Sequence, residues 1–330
     1  MRNSPISLTI DLDAEGVSHG FMRLPYSRDD SAWGSVMIPI TVVKNGDGPT
    51  ALLTGANHGD EYEGPLALTE LAASIDPDEI TGRIIIVPFM NMPAFSAGTR
   101  VSPIDAGNMN RVFPGRPDGT VTEKIADYFQ RYLLPLADVV LDFHSGGKTL
   151  DFLPFAASHV LEDKEQEARC SDARDAFNAP YSMLMLEIDS AGMYDDAVEE
   201  LGKTFVTTEL GGAGTCTPET IAIARKGVRN LLIHAGILQG DMQLSPSQHL
   251  VQDDDACFHF SPIGGMIEYT INLGDSVAKG DVLARIWDTT RTGVVPLQIH
   301  SKMDGLLAVR HTYGLIKPGD CLAVLAQENT

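Results

Sequence analysis

Four short segments of the 330-residue chain hold the side chains best suited to chemistry. In Thr54-Gly55-Ala56-Asn57-His58-Gly59-Asp60-Glu61, a histidine and a glutamate stand three residues apart just after an apolar run. That spacing lets one turn of backbone aim both side chains at a single ion. It also arises by chance, so the strand-end context must carry it; the plainer alternative is a helix-start acid beside a hydrogen-bonded histidine. Leu141-Asp142-Phe143-His144-Ser145-Gly146-Gly147 brings a second histidine out of another apolar run, followed by glycines that open space beside it. His58, Glu61 and His144 then form a His-Glu-His set with one position left over, the donor pattern of catalytic zinc; structural sites use four protein ligands, usually thiolates. Asp142, two residues before His144, shares its face on a strand and can orient the imidazole, or it simply helps to end the strand. Thr207-Thr208-Glu209-Leu210-Gly211-Gly212 presents a single carboxylate at a third strand end. Such an acid can take a proton from activated water and return it to a departing amine, or be an ordinary surface acid.

The stretch from Gly98 to Gly115 is polar, contains glycine and carries Arg100, Asn110 and Arg111. A planar guanidinium can bind a carboxylate through two hydrogen bonds or hold a developing oxyanion. Two surface ion pairs are the alternative.

These segments need a scaffold that delivers strand ends to one place. Apolar or β-branched runs at 36–43, 51–54, 83–90, 139–143 and 205–208 predict strands. Helical spacing predicts helices over 64–75 and 121–134, and Thr217-Pro218-Glu219 marks the start of another through Leu238. Alternating strands and helices predict an α/β sandwich with a mostly parallel or mixed sheet. After Gly240 helical periodicity fades. Gly265-Met266-Ile267 to Gly280-Asp281-Val282-Leu283-Ala284 is echoed by Gly305-Leu306-Leu307 to Gly319-Asp320-Cys321-Leu322-Ala323, a two-copy repeat like the halves of a biotinyl or lipoyl carrier fold. The hairpin between the copies, Asp288-Thr289-Thr290-Arg291-Thr292-Gly293, has no lysine to carry a cofactor, so this part reads as a cap or assembly module.

Composition narrows the function classes. The chain is 43% hydrophobic and 21% charged, with 24 Lys and Arg against 45 Asp and Glu, a net 24 − 45 = −21. Nucleic acid and anionic membranes are poor partners for that charge. No apolar run spans 18 residues, and Met1-Arg2-Asn3-Ser4-Pro5 lacks the apolar segment of a secretory signal, so a cytoplasmic location is expected. Cys170, Cys216, Cys257 and Cys321 have no CxxC spacing and read as reduced thiols.

Taken in chain order, His58-Gly59-Asp60-Glu61, Asn110-Arg111-Val112-Phe113, Asp142-Phe143-His144 and Glu209-Leu210-Gly211-Gly212 resemble the motifs of the succinylglutamate desuccinylase and aspartoacylase family. These are zinc amidohydrolases on a carboxypeptidase-like fold. The resemblance implies a three-layer α/β/α sandwich with a mixed sheet over residues 1–245 and a small all-β, barrel-sandwich-like domain over 246–330. It implies one zinc per chain held by His58, Glu61 and His144, with Glu209 as acid and base. Asn110 and Arg111 would bind the substrate carboxylate and Arg100 would polarise the carbonyl.

Within the family, the whole chain most resembles members that deacetylate N-α-acetyl-L-2,4-diaminobutyrate in ectoine breakdown, the stretch from Leu24 to Gly64 contributing most, and a salt-adapted source would suit the acidic composition. A substrate of that kind keeps a γ-ammonium and needs an acidic partner, for which Asp60, Glu63, Glu187 and Asp189 are candidates. The expected partner is thus a small N-acyl amino acid, with a homo-oligomer compatible. Two competing readings are a desuccinylase or aspartoacylase activity, which needs a further cationic group for the acyl carboxylate, and a non-catalytic binding or carrier protein centred on the β domain.

Overall fold

A computed structural model describes residues 3–185, 191–252 and 254–329. The elements that build the site are β1 (Gly16–Pro25), β2 (Ser35–Asn45), β3 (Thr50–Thr54), α1 (Glu63–Ser74), β4 (Gly82–Val87), α2 (Val121–Tyr128), β5 (Val139–His144), β6 (Leu150–Phe152), β7 (Phe155–His159) and α3 (Lys164–Phe177). They are followed by β8 (Tyr181–Met185), α4 (Tyr194–Glu199), β9 (Thr204–Glu209), α5 (Pro218–His234) and β10 (Gln248–Gln252). The C-terminal part holds β11 (Phe258–Phe260), β12 (Gly265–Tyr269), β13 (Val282–Trp287), β14 (Leu297–His300), β15 (Gly305–His311) and β16 (Cys321–Glu328).

In space the main sheet runs β1-β2-β4-β3-β5-β9-β7-β8. Neighbours β4, β3, β5 and β9 are parallel, whereas β1 with β2, β2 with β4, and β9 with β7 are antiparallel, so the sheet is mixed. Successive side chains on a strand point to opposite faces, and both faces are covered. Ala51, Leu53, Leu141 and Phe143 pack with Leu68, Phe177 and Val228 of α1, α3 and α5 on one side. Leu52, Val140 and Phe205 pack with Ile125 and Tyr194 of α2 and α4 on the other. Those are the three layers the sequence predicts.

Two boundaries shift for a local reason. The run at 83–90 ends as a strand at Val87, before Pro88, which has no N–H for a ladder bond. The helix from Val121 keeps α geometry only to Tyr128; its turns widen over 129–133 and tighten over 134–136, where Pro135 likewise lacks a donor. The start of α5 follows its signal closely: Thr217 accepts the backbone N–H of Thr220, a cap of about 1 kcal/mol.

Chain order from β3 passes through α1 to β4 on one side of β3, then through α2 to β5 on its other side. With α1 and α2 on opposite faces, a crevice opens beyond the carboxyl ends of β3 and β5. The C-terminal part is joined to this sheet by backbone pairing, β10 lying parallel to β8 and antiparallel to β16, and β6 antiparallel to β15. Phe155, Ala157 and Met183 share one apolar cluster with Leu283, Leu307 and Leu325. The two sequence copies exchange short strands. Ser276 and Val277 pair with Leu306 and Gly305, while Leu315 and Ile316 pair with Met266 and Gly265. No helix among the described residues is long and apolar enough to cross a membrane.

Candidate active site

Parallel pairing in register sets His144 of β5 beside Glu209 of β9, and Asp142 beside both Thr207 of β9 and Thr54 of β3. Because Val140, Asp142 and His144 alternate onto the face that also carries Phe205, Thr207 and Glu209, the polar ends of two apolar strands meet in the crevice. Beyond β3 the chain turns through Ala56, whose φ of 52° is uncommon for a residue with a Cβ, and this turn swings Asn57 and His58 inward. The turn is pinned by Asn91, whose N–H donates to the Ala56 carbonyl at 3.0 Å. Two glycines permit close packing here. A Cβ on Gly59 would lie 2.0 Å from the Ala94 carbonyl carbon, and one on Gly64 would lie 2.1 Å from Cβ of Phe143, where α1 crosses β5.

His58, Glu61 and His144 converge, with one ligand atom from each within 4.8 Å of the others. The Nδ1 of His58 is 2.8 Å from Oε1 of Glu61, and the Nδ1 of His144 is 3.0 Å from Oε2. The opposite nitrogens face acceptors: His144 Nε2 is 2.8 Å from Oδ2 of Asp142, and His58 Nε2 is 3.2 Å from Oδ1 of Asn108. A carboxylate only accepts, so Nε2 of His144 is the donor. Burial holds His58 below its ordinary pKa, hence neutral, so its single proton serves one of two acceptors, the Glu61 carboxylate at Nδ1 or the Asn108 oxygen at Nε2. Burial disfavours charge on His144 as well, but the carboxylates of Asp142 and Glu61 outweigh it and raise its pKa well above the usual value. A proton therefore stands at Nδ1 where a metal would. Burial also opposes charge on Glu61, yet the two imidazoles hold it ionised and far below the usual carboxylate range. The donor set and its geometry fit a divalent ion that accepts nitrogen and oxygen ligands.

The other predicted residues surround this centre. Glu209 shares a cavity of about 340 Å³ with His58 and His144. Its Oε2 is shielded and has no hydrogen-bond partner among the described residues. Burial, reinforced by the Glu61 charge, pushes its carboxyl up to about 8. Arg100 reaches Glu61 Oε1 at 3.6 Å with about half of its side chain exposed. Its loop is tied to the His58 loop because Gly59 N–H donates to the Thr99 carbonyl at 3.0 Å. Arg111 and Asn110 line the same cavity. The side-chain oxygen of Asn110 accepts the Tyr194 N–H at 2.8 Å, which leaves its NH2 as the group available to a ligand.

Two of the acids considered for a substrate ammonium are corrected by the structure. Asp60 accepts the Lys148 N–H at 3.0 Å, Glu63 accepts the Thr220 hydroxyl at 3.1 Å, and neither lies on the cavity wall. Glu187 and Asp189 fall outside the described residues. The sequence reading also overlooked Asn57 and Thr54, which donate to Asp142 at 3.0 and 2.7 Å and sit inside the motif that holds His58. It overlooked Phe258, Phe260 and Val324 of the C-terminal part and Asp195 of α4, which complete the cavity wall; no local pattern marks them.

Comparison with known proteins agrees with this geometry. The succinylglutamate desuccinylase/aspartoacylase catalytic domain matches residues 47–235. The N-alpha-acetyl-L-2,4-diaminobutyric acid deacetylase of Halomonas elongata is 54% identical over 328 residues, covering 99% of this chain and 96% of the relative. The product-bound ectoine utilization protein EutE (DoeB) of Ruegeria pomeroyi is 65% identical with a TM-score of 0.97 over 99% of this chain and 100% of that one. A succinylglutamate desuccinylase/aspartoacylase from Rhodobacter sphaeroides is 36% identical with a TM-score of 0.95, over 99% and 100%.

Proposed function

Because the chain belongs to the succinylglutamate desuccinylase/aspartoacylase family, we propose that it is a zinc-dependent deacetylase that hydrolyses N-α-acetyl-L-2,4-diaminobutyrate to diaminobutyrate and acetate, a step of ectoine degradation. The observation that carries the reading is the 54% identity along nearly the whole chain to a deacetylase of that substrate. The His-Glu-His cluster beside an acid of raised pKa supports the chemistry.

In this reading His58, Glu61 and His144 hold the ion. Zinc bound there supplies a Lewis acid for the amide carbonyl and brings the pKa of water towards neutrality. Asp142, fixed by Thr54 and Asn57, keeps the His144 proton on Nε2 and so keeps Nδ1 available as a donor. Glu209 accepts a proton from the attacking water and later delivers one to the departing amine, so that the amide and one water become acetate and a free amino group. Arg100, above the cluster, stabilises the oxyanion as the carbonyl carbon becomes tetrahedral. Arg111 and the Asn110 NH2 hold the α-carboxylate and so place the amide. Residues 1–245 carry the chemistry, and residues 246–330 close one wall of the cavity with Phe258, Phe260 and Val324. As an enzyme of small-molecule metabolism, we assign it to the cytoplasm.

The test is a comparison of kcat/KM by the zinc-loaded protein for N-α-acetyl-L-2,4-diaminobutyrate, N-succinylglutamate and N-acetylaspartate. The first should be hydrolysed fastest, with acetate and diaminobutyrate as products. Preference for either of these anionic substrates would transfer the reading to a desuccinylase or aspartoacylase activity.

A further inference from the structure

Resting on that reading, we propose that Asp195 selects the substrate by pairing with its side-chain ammonium. Asp195 lies in the first turn of α4, is only 6% exposed, and lines the same cavity as His144, Glu209 and Arg111.

Its position is set by the Asn-Arg motif itself. The Tyr194 N–H donates to Oδ1 of Asn110 at 2.8 Å, and the Phe113 N–H donates to the Gly192 carbonyl at 3.0 Å. Gly192 lies so close that an added Cβ would stand 2.8 Å from the Arg111 carbonyl oxygen. Asp195 is thus one residue from a peptide group anchored to the neighbour of Arg111. In diaminobutyrate the ammonium is two methylenes from the α-carbon that bears the carboxylate. A carboxylate held at Asn110 and Arg111 therefore brings the ammonium to an acid built onto the same motif.

The local charge supports a cationic ligand. Oδ2 of Asp195 is 3.8 Å from Nε2 of His159, whose Nδ1 is 2.9 Å from Oε1 of Glu199. An ammonium entering beside these buried carboxylates is attracted, whereas a second carboxylate would be opposed. The other acids on the wall among the described residues have different tasks. Asp142 is bound to His144, Thr54 and Asn57, and Glu209 carries the proton.

The experiment compares N-α-acetyl-L-2,4-diaminobutyrate with N-acetyl-L-norvaline, which has a methyl group where the first has its ammonium, in wild type and Asp195→Asn, each loaded with zinc and checked for zinc content. Wild type should favour the cationic substrate strongly. In Asp195→Asn its kcat/KM should fall by at least about thirtyfold, mainly through KM, while that for the norvaline compound stays within about threefold. A preserved preference in Asp195→Asn overturns the proposal. Should that variant lose its zinc, Asp195→Glu decides, since it advances the charge by one methylene: preference should move towards N-acetyl-2,3-diaminopropionate, and an unmoved preference overturns the proposal equally. If wild type itself prefers either of the anionic substrates, it is the deacetylase reading that fails, and this is seen before either variant is compared.

Discussion

His144 donates from Nε2 to Oδ2 of Asp142 across 2.8 Å, and the two side chains leave the same face of one strand two residues apart. Asp142 is itself buried and accepts from Thr54 and Asn57, so the imidazole is oriented by a carboxylate that cannot rotate away. Removing that charge while keeping the shape should loosen the metal without emptying the cavity. Asp142→Asn should weaken zinc binding by about 10- to 100-fold, measured by competition with a chromophoric chelator. Unaltered affinity would mean that β5 alone orients His144.

The proposed mechanism places metal binding and proton transfer on different residues, and the two should separate on mutation. His144→Ala should abolish stoichiometric zinc. Glu209→Gln should retain zinc yet lower turnover by at least about a hundredfold, the scale of a lost general base. Near-normal turnover in Glu209→Gln, with zinc content confirmed by elemental analysis, would move the proton-transfer role elsewhere.

The two arginines, both exposed, differ in neighbours, which suits different tasks. Arg100 stands over the Glu61 carboxylate and is assigned to the oxyanion, so Arg100→Ala should mainly lower kcat. Arg111, in the Asn-Arg motif, should mainly raise KM when replaced by Ala. Steady-state kinetics on both variants check this, and indistinguishable effects would refute the division.

Metal binding should release protons. Near pH 7 the metal-free protein carries a proton on His144, because Asp142 and Glu61 outweigh burial there. It carries another on Glu209, pushed up to about 8 by burial and by Glu61. A cation at Nδ1 of His144 expels the first, and its charge draws off the second. Zinc titration by calorimetry in buffers of differing ionisation enthalpy should show between about one and two protons released per ion. Since acid competes with the metal for Nδ1 of His144, affinity should fall as pH drops through the raised pKa of that imidazole. A proton-silent titration between pH 6 and 8 would contradict the arrangement.

The chemistry at the strand ends could be read from the sequence because its causes are local. His58, His144 and Glu209 each follow an apolar strand run, Glu61 lies one turn beyond His58, and alternation on a strand puts Asp142 on the His144 face. The same local signals marked β2 to β5 and β9 with α1, α2 and α5, apart from the ends displaced by Pro88 and Pro135, but not β1, β7, β8, α3 or α4. Folding decided which acids reach the cavity. Asp60 and Glu63 are near the metal loop in sequence, yet the turn that aims His58 and Glu61 inward commits them to Lys148 and Thr220. Asp195 and the walls from Phe258, Phe260 and Val324 arrive through contacts between distant segments, such as the Asn110 to Tyr194 bond across 84 residues. Such contacts leave no periodicity in either partner, because each segment is shaped by its own strand or helix, and only the packing of the finished sheet brings them to one cavity.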